Sequence, residues 1–67
     1  MKVFLATVFK TYSEYPITYY ATSIDIITSH LKEVYPKLDL NDTNDVIIGF
    51  KDIPPIELNN YIFIESL

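Results

Sequence analysis

The sequence predicts an α+β domain of order β-β-α-β(-β), a three- to four-stranded sheet with one helix packed on one face, in a single domain over residues 1–67. Three observations carry that expectation. Only residues 22–36 (TSIDIITSHLKEVYP) place apolar side chains at helical steps; the other apolar runs are short and rich in β-branched and aromatic residues; and polar stretches containing Pro or Asn separate them.

In the helical segment Ile24, Ile27, Leu31 and Val34 recur at three- and four-residue steps and make one apolar stripe, which Ile26 widens, while Ser29, Lys32 and Glu33 form the wet side. Thr22 is the expected N-cap, with Asp25 three residues on as a short-armed capping-box partner at the positive end of the helix dipole. Lys32 in the last turn and Pro36, which pushes Tyr35 out of helical geometry, mark the end.

Residues 2–10 (KVFLATVFK) form the expected first strand, with Val3, Leu5, Thr7 and Phe9 on one side and Phe4, Ala6 and Val8 on the other. Residues 11–16 are a polar stretch of hairpin-loop length, and 17–21 (ITYYA) make the second strand. After the helix, 37–45 (KLDLNDTND) is an acidic connection with turn chemistry, and 46–51 (VIIGFK) is the third strand, built around the sole glycine, Gly49, which marks a bulge or a close contact. Pro54 and Pro55 together exclude a central strand, so IPPIEL is expected to be an extended, polyproline-like edge or crossover, with an Asn59-Asn60 turn leading to a fourth strand in YIFIE. If the third strand lies parallel beside a hairpin strand, its crossover is right-handed.

The first and third strands and YIFI are apolar on both faces, whereas one helix of about 12 residues covers only one face of a sheet. The other face therefore needs a cover. A second copy packed sheet to sheet is the expectation, a homodimer being the favoured symmetry; the alternative is that residues 53–58 fold back across it.

There is no cysteine, which excludes disulfides and thiolate metal sites and is compatible with a reducing compartment. Lys10 cuts short the N-terminal apolar run, no signal-peptide pattern follows, and no apolar stretch reaches membrane-spanning length, so a cytoplasmic protein is expected. Five Lys and no Arg stand against nine Asp and Glu, and the net charge of −4 disfavours direct binding to nucleic acid or to an anionic membrane.

No catalytic, cofactor or metal residue is expected. His30 is the sole histidine, beside the apolar stripe, with no second His or Cys to share a metal, and no Ser sits in a nucleophile elbow. Asp39, Asn41, Thr43 and Asp45 alternate like the start of a calcium loop, but Asn44 stands where Gly is needed and Phe50 where a bidentate Glu is needed. A solvated acidic loop is the better reading.

Two features can act without chemistry. Asp39, Asp42, Asp45, Asp52 and Glu57 make an acidic edge with only Lys37 and Lys51 among them, able to mimic a phosphate backbone and occupy a basic cleft. The six tyrosines favour interfaces, since one end of the ring is apolar and the other can stay wet. The candidate partner-binding residues are accordingly Tyr19, Tyr20, Asp39, Asp42, Asp45, Asp52 and Glu57.

The order of Tyr-rich hairpin strand (ITYYATS), short helix (DIITSHLKEVY) and apolar strand (DVIIGFKDI), over residues 17–53, resembles the dimeric phage inhibitors of uracil-DNA glycosylase, among the small, acidic, cysteine-free accessory and anti-defence proteins of phages. The resemblance lies in layout, and no residue's role is carried over from it. It implies a dimeric, non-enzymatic inhibitor that blocks a host protein, a nucleic-acid enzyme or a defence protein, in the host cytoplasm. A second expectation is an oligomeric sponge that sequesters a nucleotide signal, with Tyr on the base and Lys on the phosphate. A third is a structural subunit of a larger assembly.

Overall fold

Strand β1 (Lys2–Val8) is apolar on both faces and takes the middle of the sheet, where both faces and both edges can be covered. The computed structural model describes residues 1–65: β1 is followed by β2 (Ile17–Ala21), α1 (Ile24–Val34), β3 (Val46–Asp52) and a 3-10 helix at Pro55–Asn60. The sheet is three-stranded in the order β2-β1-β3, and β1 is antiparallel to both neighbours. Strands β2 and β3 therefore run parallel to each other with β1 between them, and α1 connects strands that do not touch. The expected α+β layout forms.

The core lies between α1 and the face carrying Phe4, Ala6 and Val8. Ile27 and Leu31 of α1 pack with Ala6 and Val8 of β1, Ala21 of β2, Val46 of β3 and Tyr35, all buried. Small Ala6 and Ala21 beneath bulky Ile27 and Leu31 let large meet small, which is how a single short helix reaches interior packing density. Helix α1 lies over β1 and β2 and not over β3. Leu38 and Leu40 of the acidic connection pack against the core instead.

The helix starts one residue later than expected. Ser23, in extended geometry, is the N-cap, and its Oγ accepts from the Ile26 N–H at 3.3 Å, while the Thr22 N–H donates to Glu65 Oε1 at 2.7 Å. Tyr35 ends the helix ahead of Pro36, as expected.

The β1–β3 register runs unbroken from Lys2↔Asp52 to Val8↔Val46, so Gly49 is not a bulge, and a Cβ built there meets nothing within 4 Å. Residues beyond β3 differ from expectation. Pro54 is extended, but Pro55 opens a 3-10 helix, its fixed φ suiting a first helical position. Among the described residues no fourth strand forms: Phe63 makes one isolated parallel bridge to Tyr20, and the Ile64 N–H donates to the Tyr20 carbonyl at 2.9 Å. A single bridge suffices because the chain is spent crossing the second face of the sheet.

That crossing buries Val3 and Ile53 and sets Tyr61 edge-on to Tyr20, with ring centroids 4.9 Å apart. One end of the second face is thus covered by the chain itself. Ile47 remains half exposed. Among the described residues, no helix is long and apolar enough to cross a membrane.

Candidate protein-binding surface

The two tyrosines of β2 point to opposite faces because successive strand residues alternate. Tyr19 lies half-buried on the helix side, its hydroxyl 2.7 Å from that of Tyr35 and its ring tilted against His30 at 5.0 Å. Tyr20 lies half-buried on the second face against Tyr61 and Phe63. Both belong largely to the protein's own packing.

The acids divide. Asp45 is only 3% exposed and does not join the surface edge to which its sequence position assigns it. Its Oδ1 lies 2.9 Å from Lys10 Nζ, its Oδ2 accepts from the Asp39 N–H at 3.2 Å, and its carbonyl accepts from the Phe9 N–H at 2.8 Å. The Lys10 ammonium against it holds the Asp45 carboxyl below its ordinary range despite the opposing effect of burial, with the Asp39 N–H adding to the lowering. The same pair raises the Lys10 ammonium. This ion pair clips the turn after β1 to the start of β3.

Asp39, exposed, and Asp42, half-buried, lie in the connection, and the Oδ1 of each accepts from a backbone N–H two residues on, Asn41 at 3.0 Å and Asn44 at 2.9 Å. Such side-chain turns shape the loop around the buried carboxylate. Asp52 is at the far end of β3, where its Oδ1 accepts from the N-terminal ammonium at 2.8 Å, which lowers its pKa. Glu57 stands exposed in the first turn of the 3-10 helix. The strand separating Asp39 and Asp42 from Asp52 and Glu57 is roughly 20 Å long at the usual rise per residue. A single acidic edge becomes two acidic ends.

Sequence reasoning missed the apolar side chains between and beside those ends. Phe50 of β3 is 63% exposed, and Ile56 and Ile62 are 89% and 90% exposed. The signal was available in PPIELNN, where Pro at a first helical position followed by Glu and Asn marks a short helical turn that buries none of its residues.

Two clefts among the described residues bear on ligand binding. One of about 290 Å³ is lined by Lys10, Tyr12, Tyr35, Pro36, Lys37 and Leu38, the residue types a nucleotide site would use. Its chemistry runs the other way. Tyr12 already stacks on Tyr35 at 5.3 Å and donates its hydroxyl to the Val34 carbonyl at 3.1 Å, and Lys10 is held by Asp45. The cleft also opens at the C-terminal end of α1, where the helix carbonyls oppose an anion. The other cleft, about 350 Å³, is lined by Asp25, Ile26, Ser29, His30, Glu33 and Ile64 and is acidic rather than anion-binding. His30 makes no side-chain hydrogen bond among the described residues, and there no group of three His, Asp or Glu side chains is placed to hold a metal.

Comparison with protein-family models, with curated proteins and with solved structures finds no match for this chain.

Proposed function

We propose that this is a non-enzymatic binding protein of the phage-inhibitor kind, which blocks a host protein in the host cytoplasm through a surface of carboxylates and exposed apolar side chains. The observation that carries the reading is the run from Asp52 to Ile62, in which Ile56 and Ile62 stand almost fully exposed beside Asp52 and Glu57. Exposed aliphatic side chains and carboxylates within one short run of chain fit a basic partner surface with apolar pockets. The isoleucines supply the area removed from water and the acids steer the encounter. Asp39 and Asp42 extend the field at the other end of β3.

The test is capture from a bacterial lysate on the immobilised protein, beside an Ile56→Ser/Ile62→Ser variant and an Asp52→Asn/Glu57→Gln variant. One protein retained by the wild type, lost with the first variant and released at lower salt from the second is the expected result. Equal retention by all three, or none by the wild type, overturns the reading.

A further inference from the structure

Edge strands carry a row of N–H and C=O groups that must find partners, and this sheet has two edges of different kinds. The outer edge of β2 is met by the C-terminal segment, through the Phe63 bridge and the Ile64 N–H on the Tyr20 carbonyl. Among the described residues the outer edge of β3 is open beyond Val46. At the two ends of the β1–β3 ladder the Phe9 N–H donates to the Asp45 carbonyl, the Ile53 N–H to the Met1 carbonyl, and the Met1 ammonium to the Ile53 carbonyl. Odd-numbered residues of β3 therefore turn their backbone groups toward β1, and the alternation of an antiparallel ladder turns those of Val46, Ile48, Phe50 and Asp52 outward. The Val46 N–H is taken by the Asp42 carbonyl at 3.1 Å; Ile48, Phe50 and Asp52 have no backbone partner on that side among the described residues. Nothing protects this edge in the usual ways: β3 holds no proline and no bulge, and its only charges are at its end.

We propose that β3 pairs with β3 of a second copy, antiparallel about Gly49, to make one continuous sheet of order β2-β1-β3-β3-β1-β2. Gly49 is the midpoint of Val46–Asp52, so a twofold axis there uses the whole strand. It sets Ile48 opposite the partner subunit's Phe50 as a hydrogen-bonded pair and Gly49 opposite the partner subunit's Gly49 as a narrow, non-bonded pair, in agreement with which groups point outward. On the helix side this covers exposed Phe50 with a β-branched neighbour, and on the other face the stem of the partner subunit's Lys51 lies on half-exposed Ile47. No like charges stand directly opposite. A second copy is favoured over a foreign strand because the strand is complementary to itself in this register, and because twofold pairing consumes the same edge in both copies, which stops assembly through β3 at two.

The pairing rests on β3 and shares only Asp52 with the proposed function, but it changes the charge map. The start of each β3 meets the end of the other, so Asp39 and Asp42 of one copy approach the partner subunit's Asp52 and Glu57. The two acidic ends of a single chain become two combined acidic patches. Their repulsion weakens the dimer at low salt, so the dissociation constant falls several-fold as ionic strength rises.

Sedimentation velocity over a concentration series, together with cysteine cross-linking, tests this. The chain has no cysteine, and Gly49→Cys is tolerated, since its Cβ has open space and no residue has a positive φ. Narrow antiparallel pairs bring Cα atoms within disulfide range. Expected are a concentration-dependent dimer, oxidative cross-linking of Gly49→Cys and none of Thr18→Cys, and a dissociation constant raised about tenfold or more in Phe50→Pro, beyond that of Phe50→Ala, since both lose the ring packed on Phe4 and Lys2 but only the proline loses the outward N–H. A wild type that stays monomeric into the high-micromolar range overturns the proposal. So does cross-linking through Thr18→Cys in place of Gly49→Cys, which assigns the contact to the sheet face.

Discussion

The hydroxyls of Tyr19 and Tyr35 lie 2.7 Å apart and tie β2 to the C-cap of α1. Tyr12 stacks on the other side of Tyr35 with ring planes 20° apart, so the end of the helix is held from both the sheet and the hairpin loop. Burial first, and the hydrogen bond to Tyr19 second, push the Tyr35 phenol up from 10.0 to about 12.

In an alkaline titration followed by tyrosinate absorbance, one of the six tyrosines therefore ionises late, at about pH 12. A raised folded-state pKa means that the native state keeps a proton the unfolded state has lost. The stabilisation is complete below pH 10.0 and disappears as pH rises toward about 12. Tyr19→Phe brings the late step down and costs about 1–2 kcal/mol at neutral pH in denaturant unfolding.

The Lys10–Asp45 pair predicts a second pH dependence, at the acid end. Asp45 is depressed from its ordinary 3.8, so its stabilisation is present above that value and is lost as pH falls through the lower folded-state pKa. Asp45→Asn removes this acid limb from a plot of melting temperature against pH. It also lowers the neutral-pH melting temperature by more than Asp42→Asn does, because Asp42 is only half-buried and makes no ion pair among the described residues. Equal effects of the two substitutions would remove the buried pair from the account.

Which residue caps α1 is settled by two alanines. Ser23→Ala is expected to cost about 1 kcal/mol through loss of the Oγ contact to the Ile26 N–H, and Thr22→Ala no more than about 0.5 kcal/mol, since Glu65 is bonded to the Thr22 backbone rather than its side chain. Urea unfolding with a common slope measures both.

Ile27 is fully buried between α1 and the sheet. Ile27→Ala should cost about 2–5 kcal/mol and lower the melting temperature steeply for so short a chain. Ile24→Ala, on the same stripe but partly exposed, is expected to cost far less.

Local pattern carried the strands and helix well, because each is a run whose alternation or period is written in neighbouring residues. Ile17–Ala21 forms as expected, and β3 extends the expected strand by one residue. Patterns that depend on distant residues were not readable. Thr22 and its neighbour Ser23 both carry a capping hydroxyl, and the pattern alone put the cap one residue early; in the structure the Ser23 hydroxyl takes the Ile26 N–H while the Thr22 backbone is bonded by Glu65, more than forty residues on. Asp45 looked like one more surface acid because nothing in KLDLNDTND signals that Lys10 reaches it. The run after Pro54 differs from the extended chain expected from the two prolines because the fixed φ of Pro55 suits a first helical position equally well, and the short helix it opens leaves Ile56 to solvent.

The central position of β1 has a consequence for the order of events during synthesis. The strand made first pairs with β2 locally, but a lone hairpin is marginal in water, and its other neighbour spans residues 46–52. Closing that ladder joins Lys2 to Asp52, a distant contact whose loop entropy must be met before packing rewards it. Folding therefore waits until Ile53 has cleared the ribosome, and a chain cut short before β3 carries its first strand with one edge and one face bare, a substrate for chaperones and proteases rather than a smaller stable domain.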